Sequence, residues 1–264
     1  MKADVIDLQG KPVEKIELPK VFSEPVRADL ILRAVLSSQS KRRQPYGTDP
    51  MAGKRSSAHY HGYRRHRYAM MGKEMARMSR LHGKTVPFMY FTARIVPQAR
   101  GGREAFPPLT EKVWEQKMND KERKKAIRSA IAATASREIV EKRGHRIDGL
   151  KSLPIIVDDK LQEITRTKDL VAFLEKIGLE KELERIQQKK LRPGKGKARG
   201  RKYKVKKGPL FVVADDKGIA HAVANITGCD TINVSNLSAE ILAPGAMPGR
   251  LTIMTKSAVE KLGG

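Results

Sequence analysis

Positive charge in this chain is concentrated in two segments, and the remainder is close to neutral. Residues 41–106 contain 15 Lys and Arg against three acids, and residues 189–207 contain 11 Lys and Arg and no acid. The formal net charge of the whole chain is +25, far beyond what solubility requires. Two basic blocks within otherwise ordinary sequence indicate contact surfaces for a polyanion. We therefore expect a nearly neutral globule that carries two basic segments.

The longer basic segment is also rich in aromatic residues. It holds eight of the 13 aromatics in the chain. Solvated, disordered linkers are the alternative interpretation of a charge run, but such linkers are poor in aromatics. Arginine pairs with phosphate, and arginine and tyrosine planes stack on unpaired bases. This combination favours contact with irregular RNA over a regular duplex.

Outside residues 41–106, strand and helix patterns alternate. Short apolar runs predict strands at VIDL, LPIIVDD, PLFVVADD, DTINVSNL and RLTIMT. Helical patterns begin at Arg27, run from Asn119 to a stop at Gly144, and recur in 167–190 and at the C-terminus. This order is typical of an α/β domain with a mostly parallel sheet. We predict one globular domain from 1–40 and 107–264, with 41–106 inserted in it as a long extension.

The second basic segment, 189–207, is predicted to be a glycine-containing loop within the globular domain. Gly194, Gly196 and Gly200 separate its cations and allow the backbone to approach phosphate closely. It is not a nucleotide-binding P-loop, which needs Gly-Lys-Ser/Thr after a first glycine and four residues. We expect no bound cofactor and no small-molecule substrate.

Two stretches raise catalytic or metal-binding alternatives. In AHYHGYRRHRYAMMG, residues 58–72, His59, His61 and His66 are candidate metal ligands, but the stretch has no cysteine or carboxylate and its arginines repel cations. We predict no metal there. Asp158-Asp159 and Asp215-Asp216 each follow a predicted strand, where acid pairs bind magnesium in some nucleic-acid enzymes. Acids in turns are the commoner case, so we expect no enzymatic activity.

The setting predicted for the chain is cytoplasmic. Its single cysteine, Cys229, cannot form an internal disulfide or a multi-cysteine zinc site. No segment approaches the roughly 18 apolar residues of a membrane span, and no signal-like run opens the sequence. We expect no membrane partner.

Six phrases in order along the chain resemble the family of the universal large-subunit ribosomal protein four, in its archaeal and eukaryotic form. They are ELPKVFSEPVRADLI (17–31), KRRQPYGTDPMAG (41–53), RIVPQARGGREAFPP (94–108), NDKERKKAIRSAIAATA (119–135), KARGRKY (197–203) and LAPGAMPGRLTIMT (242–255). The resemblance implies a doubly wound α/β globule with helices on both faces. It also implies an extension that threads through 23S-type ribosomal RNA to the wall of the peptide exit tunnel.

The implied partners are large-subunit rRNA, neighbouring ribosomal proteins including protein twenty-two at the tunnel constriction, and the passing nascent peptide. Translational repression of its own message is a further possibility that the sequence neither supports nor excludes. The residues predicted to bind RNA in the extension are Arg42, Arg43, Lys54, Arg55, Tyr60, Tyr63, Arg64, Arg65, Arg67, Arg77, Arg80, Arg94, Arg100, Gly101, Gly102 and Arg103. Those in the shorter segment are Lys195, Lys197, Arg199, Arg201 and Lys202.

The tip of the extension departs from the family pattern. Family members usually have a glycine-rich stretch resembling AESFGSGRG. Here Ala58, Gly62 and Arg65 agree with it, whereas His59 stands where the family has an acid and Arg64 replaces a glycine. The place of the tip in the tunnel wall is therefore better supported than any contact of a single tip residue.

Overall fold

A computed structural model describes residues 2–263, and the chain divides into two compact units. The globular unit consists of the residues up to Arg42 and from Glu115 onward, and the loop unit is Arg43–Trp114. The sequence placed the insert at 41–106. Its start differs because the first long helix continues to Lys41, and its end differs because Tyr46 and Trp114 stack within the loop unit. No helix within residues 2–263 is long and apolar enough to cross a membrane.

The globular unit contains all eight strands and all eight α-helices of the described chain. In chain order they are β1 Lys2–Ile6, β2 Pro12–Glu17, α1 Ala28–Lys41, α2 Asp120–Ala135, α3 Arg137–Arg143, β3 Ile155–Val157, α4 Thr167–Lys176, α5 Glu180–Gln187, β4 Lys190–Leu191, β5 Tyr203–Lys204, β6 Leu210–Val213, α6 Ile219–Ala224, β7 Asp230–Asn233, α7 Ala239–Leu242, β8 Thr252–Thr255 and α8 Lys256–Gly263.

Six strands form one sheet in the order β2-β1-β3-β8-β6-β7. All neighbouring pairs are parallel except β1 and β2, which pair antiparallel at one edge. The predicted α/β class with a mostly parallel sheet is confirmed. The five parallel strands are those that the apolar runs predicted. β3, β6 and β8 are buried throughout, as parallel strands usually are, whereas β1 and β7 are only partly buried.

Alternate residues of the central strands enter two separate apolar cores. In β6, Phe211 and Val213 belong to one core and Leu210 and Val212 to the other. The first core is completed by buried residues of α3, α4, α5 and α6, and the second by those of α1, α2, α7 and α8. Helices therefore cover both faces of the sheet, as the doubly wound arrangement requires.

Three local features differ from the sequence-based expectation. The single helix predicted from Asn119 to Gly144 is two helices, because Ser136 adopts an extended backbone that ends α2 and starts α3. The stop at Gly144 is confirmed, since this glycine closes α3 with a left-handed φ of 98°. β2, which is not among the predicted strands, is an almost fully exposed edge strand. The basic loop contains a small antiparallel hairpin, β4–β5.

A buried polar cluster joins α5 to the segment after α3 and to the start of β8. Glu182 accepts hydrogen bonds from His145 Nδ1 at 2.7 Å, from Arg185 and from the Arg146 amide. Burial alone raises the pKa of Glu182, but these donors outweigh it and lower the pKa from 4.5 to about 2. His145 Nε2 in turn accepts the Leu251 amide, at 3.3 Å. The cluster therefore stabilises the fold only while Glu182 is ionised.

We predict that Glu182→Gln removes most of the acid sensitivity that this cluster gives to folding. The pKa of Glu182 is depressed in the folded state, so its contribution is complete above pH ~4.5 and is lost as pH falls toward 2. A depression of this size corresponds to about 3 kcal/mol of unfolding free energy. Urea unfolding of the full chain between pH ~2.5 and ~6 measures it, with exposed Glu184→Gln as the control. An identical acid-induced fall in wild type and Glu182→Gln would contradict the assignment.

Candidate nucleic-acid interface

The base of the loop unit is held by contacts between its outgoing and returning limbs. Tyr46 stacks on Trp114 with ring centroids 5.5 Å apart, and Arg43 and Lys112 lie over the same indole at 4.1 and 4.5 Å. Further along, the Thr48 amide donates to the Pro108 carbonyl at 3.2 Å. Sequence reasoning missed Trp114 and Lys112 because they lie beyond the predicted insert. The sequence did contain a signal for this contact, because Trp114 is the one tryptophan of the chain and Lys112 lies two residues before it.

Glycine lets the two limbs touch at backbone level near their middle. A Cβ on Gly53 would lie 2.5 Å from the Gly102 carbonyl oxygen and 2.6 Å from the Arg103 backbone. Gly53 also has a φ of +73°, which favours glycine. A Cβ on Gly102 would lie 2.0 Å from the Val96 carbonyl oxygen, which belongs to the same turn of the returning limb. Of the two loop glycines predicted to bind RNA, Gly102 thus faces protein backbone and Gly101 faces the Arg94 guanidinium.

Arg80 organises the far half of the loop unit. Its amide donates to the His59 carbonyl, and isolated bridges pair Arg80 with both His59 and Ala93. Its guanidinium donates to the Phe91 carbonyl at 2.7 Å and to the Ala76 carbonyl at 3.0 Å. Arg80 therefore holds three segments together, and its charge faces backbone oxygens.

Two other predicted arginines are engaged within their own units. Arg94 Nη1 donates to the Arg100 carbonyl at 2.9 Å, inside the turn that contains Gly101 and Gly102. Arg42 belongs to the globular unit and pairs with Glu240 of α7. These guanidiniums shape the surfaces around them. A third, Arg55, is exposed but pairs with Asp49 at 2.5 Å.

The remaining predicted cations of the loop unit are mostly available to a partner. Tyr60 and Tyr63 are exposed beside them, Tyr63 by 79%. Among these predicted cations, the exposed ones that form no ion pair with another residue in 2–263 are Arg43, Lys54, Arg64, Arg65, Arg67, Arg77 and Arg100, of which Arg43 and Arg67 also lie over aromatic rings. Arg103 is half-buried, with its amide bonded to the Ile95 carbonyl. The result is a cationic surface interleaved with exposed aromatic rings.

The second surface is the β4–β5 hairpin of the globular unit, residues 190–204. Its two short strands pair Lys190 with Lys204 and Leu191 with Tyr203. The five predicted residues Lys195, Lys197, Arg199, Arg201 and Lys202 are all exposed, and none pairs with an acid in the part of the chain that the structure describes. Gly194 and Gly200 have positive φ and turn the chain between them. These five residues therefore present uncompensated positive charge on a short span.

Four histidines and a tyrosine cluster at the tip of the loop unit. His61 Nε2 lies 2.8 Å from His82 Nε2, and the rings of His59 and His66 pack on His61 at 4.1 and 3.8 Å. Desolvation, followed by the neighbouring histidines, lowers the pKa of both His61 and His82. The candidate triad from the sequence was His59, His61 and His66. The structure adds His82, which the sequence pattern missed because it lies 21 residues from His61.

The acidic pairs are used in turns and helix starts. Asp159 Oδ1 accepts from the Ser257 amide and hydroxyl, and Asp216 Oδ1 accepts from the amides of Gly218 and Ala220. Their strands, β3 and β6, are separated in the sheet by β8. Within residues 2–263 these acids belong to no group of three candidate metal ligands. The arrangement favours a structural role over a magnesium-dependent active site.

Comparison with known proteins also indicates a structural protein and not an enzyme. The model of the Ribosomal protein L4/L1 family matches residues 16–264. The chain belongs to this family. It is 46% identical over 263 residues to the large ribosomal subunit protein uL4 of Methanosphaera stadtmanae, covering 99% of this chain and 96% of the relative. It is 48% identical over 267 residues to that of Nanoarchaeum equitans, covering 99% and 97%.

The family assignment bears on the expectations drawn from the sequence. The resemblance to ribosomal protein four is confirmed by the family model and by the archaeal relatives. The expectation that the protein is not an enzyme is confirmed as well, because the family and these relatives are named as ribosomal proteins. The individual RNA-binding residues remain predictions.

We predict that Gly53→Ala loosens the paired limbs more than Gly72→Ala does. Both glycines have nearly the same positive φ, but only Gly53 faces backbone atoms at clash distance, whereas a Cβ on Gly72 meets nothing within 4 Å. The clash adds about 1–3 kcal/mol to the strain that both variants share. That cost raises the open population about 5–150-fold, measured as the initial rate of tryptic cleavage within 43–114. Equal rates for the two variants would show that the limbs do not touch there.

Proposed function

We propose that the protein is a structural constituent of the large ribosomal subunit, in the cytoplasm, which binds large-subunit rRNA through two basic surfaces. The observation that carries this proposal is the pair of exposed, uncompensated cationic surfaces on the loop unit and on the hairpin 190–204. Unpaired surface cations at this density repel one another, and a phosphate backbone neutralises them. The family membership agrees with such a partner.

The loop surface fits irregular RNA better than a uniform duplex. Tyr60 and Tyr63 are exposed beside Arg64, Arg65 and Arg67, so stacking and phosphate-pairing groups alternate over a few residues. Exposed aromatic planes stack on unpaired bases, which a regular A-form helix does not offer. The hairpin carries its charge on lysine and arginine separated by glycine, with a single aromatic ring at its stem, and this composition suits phosphate contacts.

The predicted RNA-binding residues divide into two roles. Arg42, Arg80 and Arg94 are engaged with Glu240 or with backbone carbonyls, so they position the surface. Gly101 and Gly102 shape the turn through which the returning limb passes. The exposed cations and tyrosines make the direct contacts. Loss of a positioning residue should therefore affect the order of the loop before it affects the charge presented to RNA.

We propose further that the tip of the loop unit lies at the wall of the peptide exit tunnel, beside ribosomal protein twenty-two and the passing nascent peptide. The support is the family resemblance together with the exposed Tyr63, Arg64 and Arg65 at the tip. Where the family has a glycine-rich stretch, these bulky side chains would narrow the channel at that point. None of these contacts requires a catalytic group.

We predict that replacing the five hairpin cations Lys195, Lys197, Arg199, Arg201 and Lys202 with Gln weakens the salt dependence of rRNA binding. If each cation neutralises one phosphate, the magnitude of the log–log salt slope falls by about 4–5 at duplex RNA and about 3–4 at single strands. Filter binding of the full chain to deproteinised large-subunit rRNA, between ~50 and ~200 mM salt, measures the slope.

The matched control removes the same charge from the neutral part of the globular unit. It replaces five exposed lysines with Gln: Lys11, Lys15, Lys168, Lys176 and Lys181. This variant should keep a slope within about one unit of wild type, because these lysines lie outside both basic segments. Equal loss in the two variants would mean that net charge, and not the hairpin surface, determines binding.

We predict that a photoreactive amino acid at Tyr63 labels the nascent chain in stalled ribosomes that contain the variant. Tyr63 is the most exposed tyrosine of the tip, so the replacement leaves the packing of the unit intact. The same group at Val13, an exposed position on edge strand β2, serves as the control and should give no such product. Labelling of rRNA alone from Tyr63 would refute the placement in the tunnel wall without affecting the assignment to rRNA binding.

A further inference from the structure

The histidine cluster of the loop unit has the donor set of a metal site. His59, His61 and His82 each offer one ring nitrogen, and these three atoms lie within 4.8 Å of one another. In a tetrahedral zinc site with bonds of about 2.0–2.1 Å, ligand nitrogens are about 3.4 Å apart. The 2.8 Å separation of His61 Nε2 and His82 Nε2 is close to that value. We propose that His59, His61 and His82 bind one Zn²⁺ ion, which clips residues 59–61 to residue 82.

The tautomers available to the three histidines leave one lone pair on each ring for a metal. His59 Nδ1 lies 3.4 Å from the Ser57 carbonyl, and donation to that oxygen places the proton on Nδ1 and the lone pair on Nε2. In the metal-free pair, one of the Nε2 atoms of His61 and His82 is protonated. A neutral imidazole can carry that proton on Nδ1 instead, which frees both Nε2 lone pairs for a metal.

The fourth histidine has a different role. His66 Nδ1 accepts the Tyr68 amide at 3.2 Å, which commits that nitrogen to the turn. Its ring stacks on His61 at 3.8 Å, while Tyr68 stacks on His82 at 4.4 Å with an interplanar angle of 10°. These two rings fix the planes of two ligands from outside the site. Three protein ligands leave the fourth position of a tetrahedron for a water molecule.

The absence of cysteine and carboxylate from the cluster does not argue against zinc. Three neutral imidazoles form a complete protein donor set for Zn²⁺. Nor do the nearby arginines block the site. Arg64, Arg65 and Arg67 are exposed, so water screens their charges. Arg80 lies two residues before His82 in the chain, and its guanidinium donates to the Ala76 and Phe91 carbonyls.

The loop unit also needs such a clip. Its buried apolar side chains are only Ala58, Ala69, Met70 and Leu81, all of them in the described chain. Two of these directly adjoin ligands, Ala58 before His59 and Leu81 before His82. Small folds with cores of this size are commonly stabilised by a structural metal. The metal would therefore lie beside Ala58 and Leu81, two of the four buried apolar residues of the loop unit.

Zinc binding by the untagged, metal-stripped full-length chain tests the proposal in the absence of RNA. Titration with Zn²⁺ alone, in competition with a chromophoric chelator near neutral pH, should give one ion per chain. His59→Gln and His82→Gln should each weaken binding by at least ~100-fold, beyond the 10–100-fold typical for loss of an outer-shell partner. His66→Gln, the control inside the cluster, should weaken it by less than ~10-fold. His221→Gln, in the globular unit, should leave it unchanged.

Tryptic mapping of the same proteins tests the clip itself. Zn²⁺ should slow cleavage at Arg64, Arg67 and Arg77 in wild type and in His66→Gln, but not in His82→Gln, and a chelator should reverse the protection. Failure of the wild-type chain to bind one equivalent, or undiminished binding by His82→Gln, would overturn the site. Binding without protection would overturn the role as a clip. Either result is independent of rRNA affinity, which is measured separately.

Discussion

Charge repulsion within the loop unit is the constraint on which its construction depends. Residues 43–114 contain 14 Lys and Arg against four acids, and only four of their apolar side chains are buried. Such a segment gains too little from apolar burial to offset both repulsion and the entropy of ordering. It is therefore held by interactions that need no core: backbone contacts at Gly53, carbonyls that accept from Arg80, and cations on Trp114. None of these interactions brings two cations together in the interior, and the remaining Lys and Arg side chains of the loop unit are mostly exposed.

The globular unit, in contrast, has two large apolar cores, and its constraint is the burial of charged groups. Its sheet buries apolar residues on both faces, so the few charged groups inside must be paired completely. Arg250, almost fully buried, donates to the carbonyls of Gly208 and Ile241 and to Asp230. Glu182 has three donors of its own. Arginine thus has two roles in this protein. Buried Arg250 joins segments of the globular unit through its hydrogen bonds, whereas most arginines of the loop unit are exposed and available to a partner.

Sequence reasoning succeeded where a physical signal is local. β3, β6 and β8 were predictable because each is buried throughout, and short apolar runs also marked the partly buried β1 and β7. β2 was not, since an edge strand needs only backbone hydrogen bonds to β1 and shows no apolar pattern. The break at Ser136 escaped because both of its flanks are helical, so the helical pattern of the sequence continues across it. In the candidate site, composition alone predicted the charged surface. The approach of His82 to His61 was not predictable in this way, because it accompanies a backbone bridge between His59 and Arg80, which are far apart in the sequence.

Metal and RNA need not compete for the cationic tip, as a comparison of magnitudes shows. A divalent ion and an exposed guanidinium about 8 Å apart repel by about 1 kcal/mol in a water-like dielectric, and salt reduces this further. Structural zinc sites in small peptides contribute about 10–16 kcal/mol at neutral pH. Three exposed arginines therefore weaken a zinc site without abolishing it, and phosphates arriving at those arginines remove the repulsion. A tip already clipped at His59, His61 and His82 would lose less conformational entropy on meeting rRNA, so each ligand would favour the other through order and charge together.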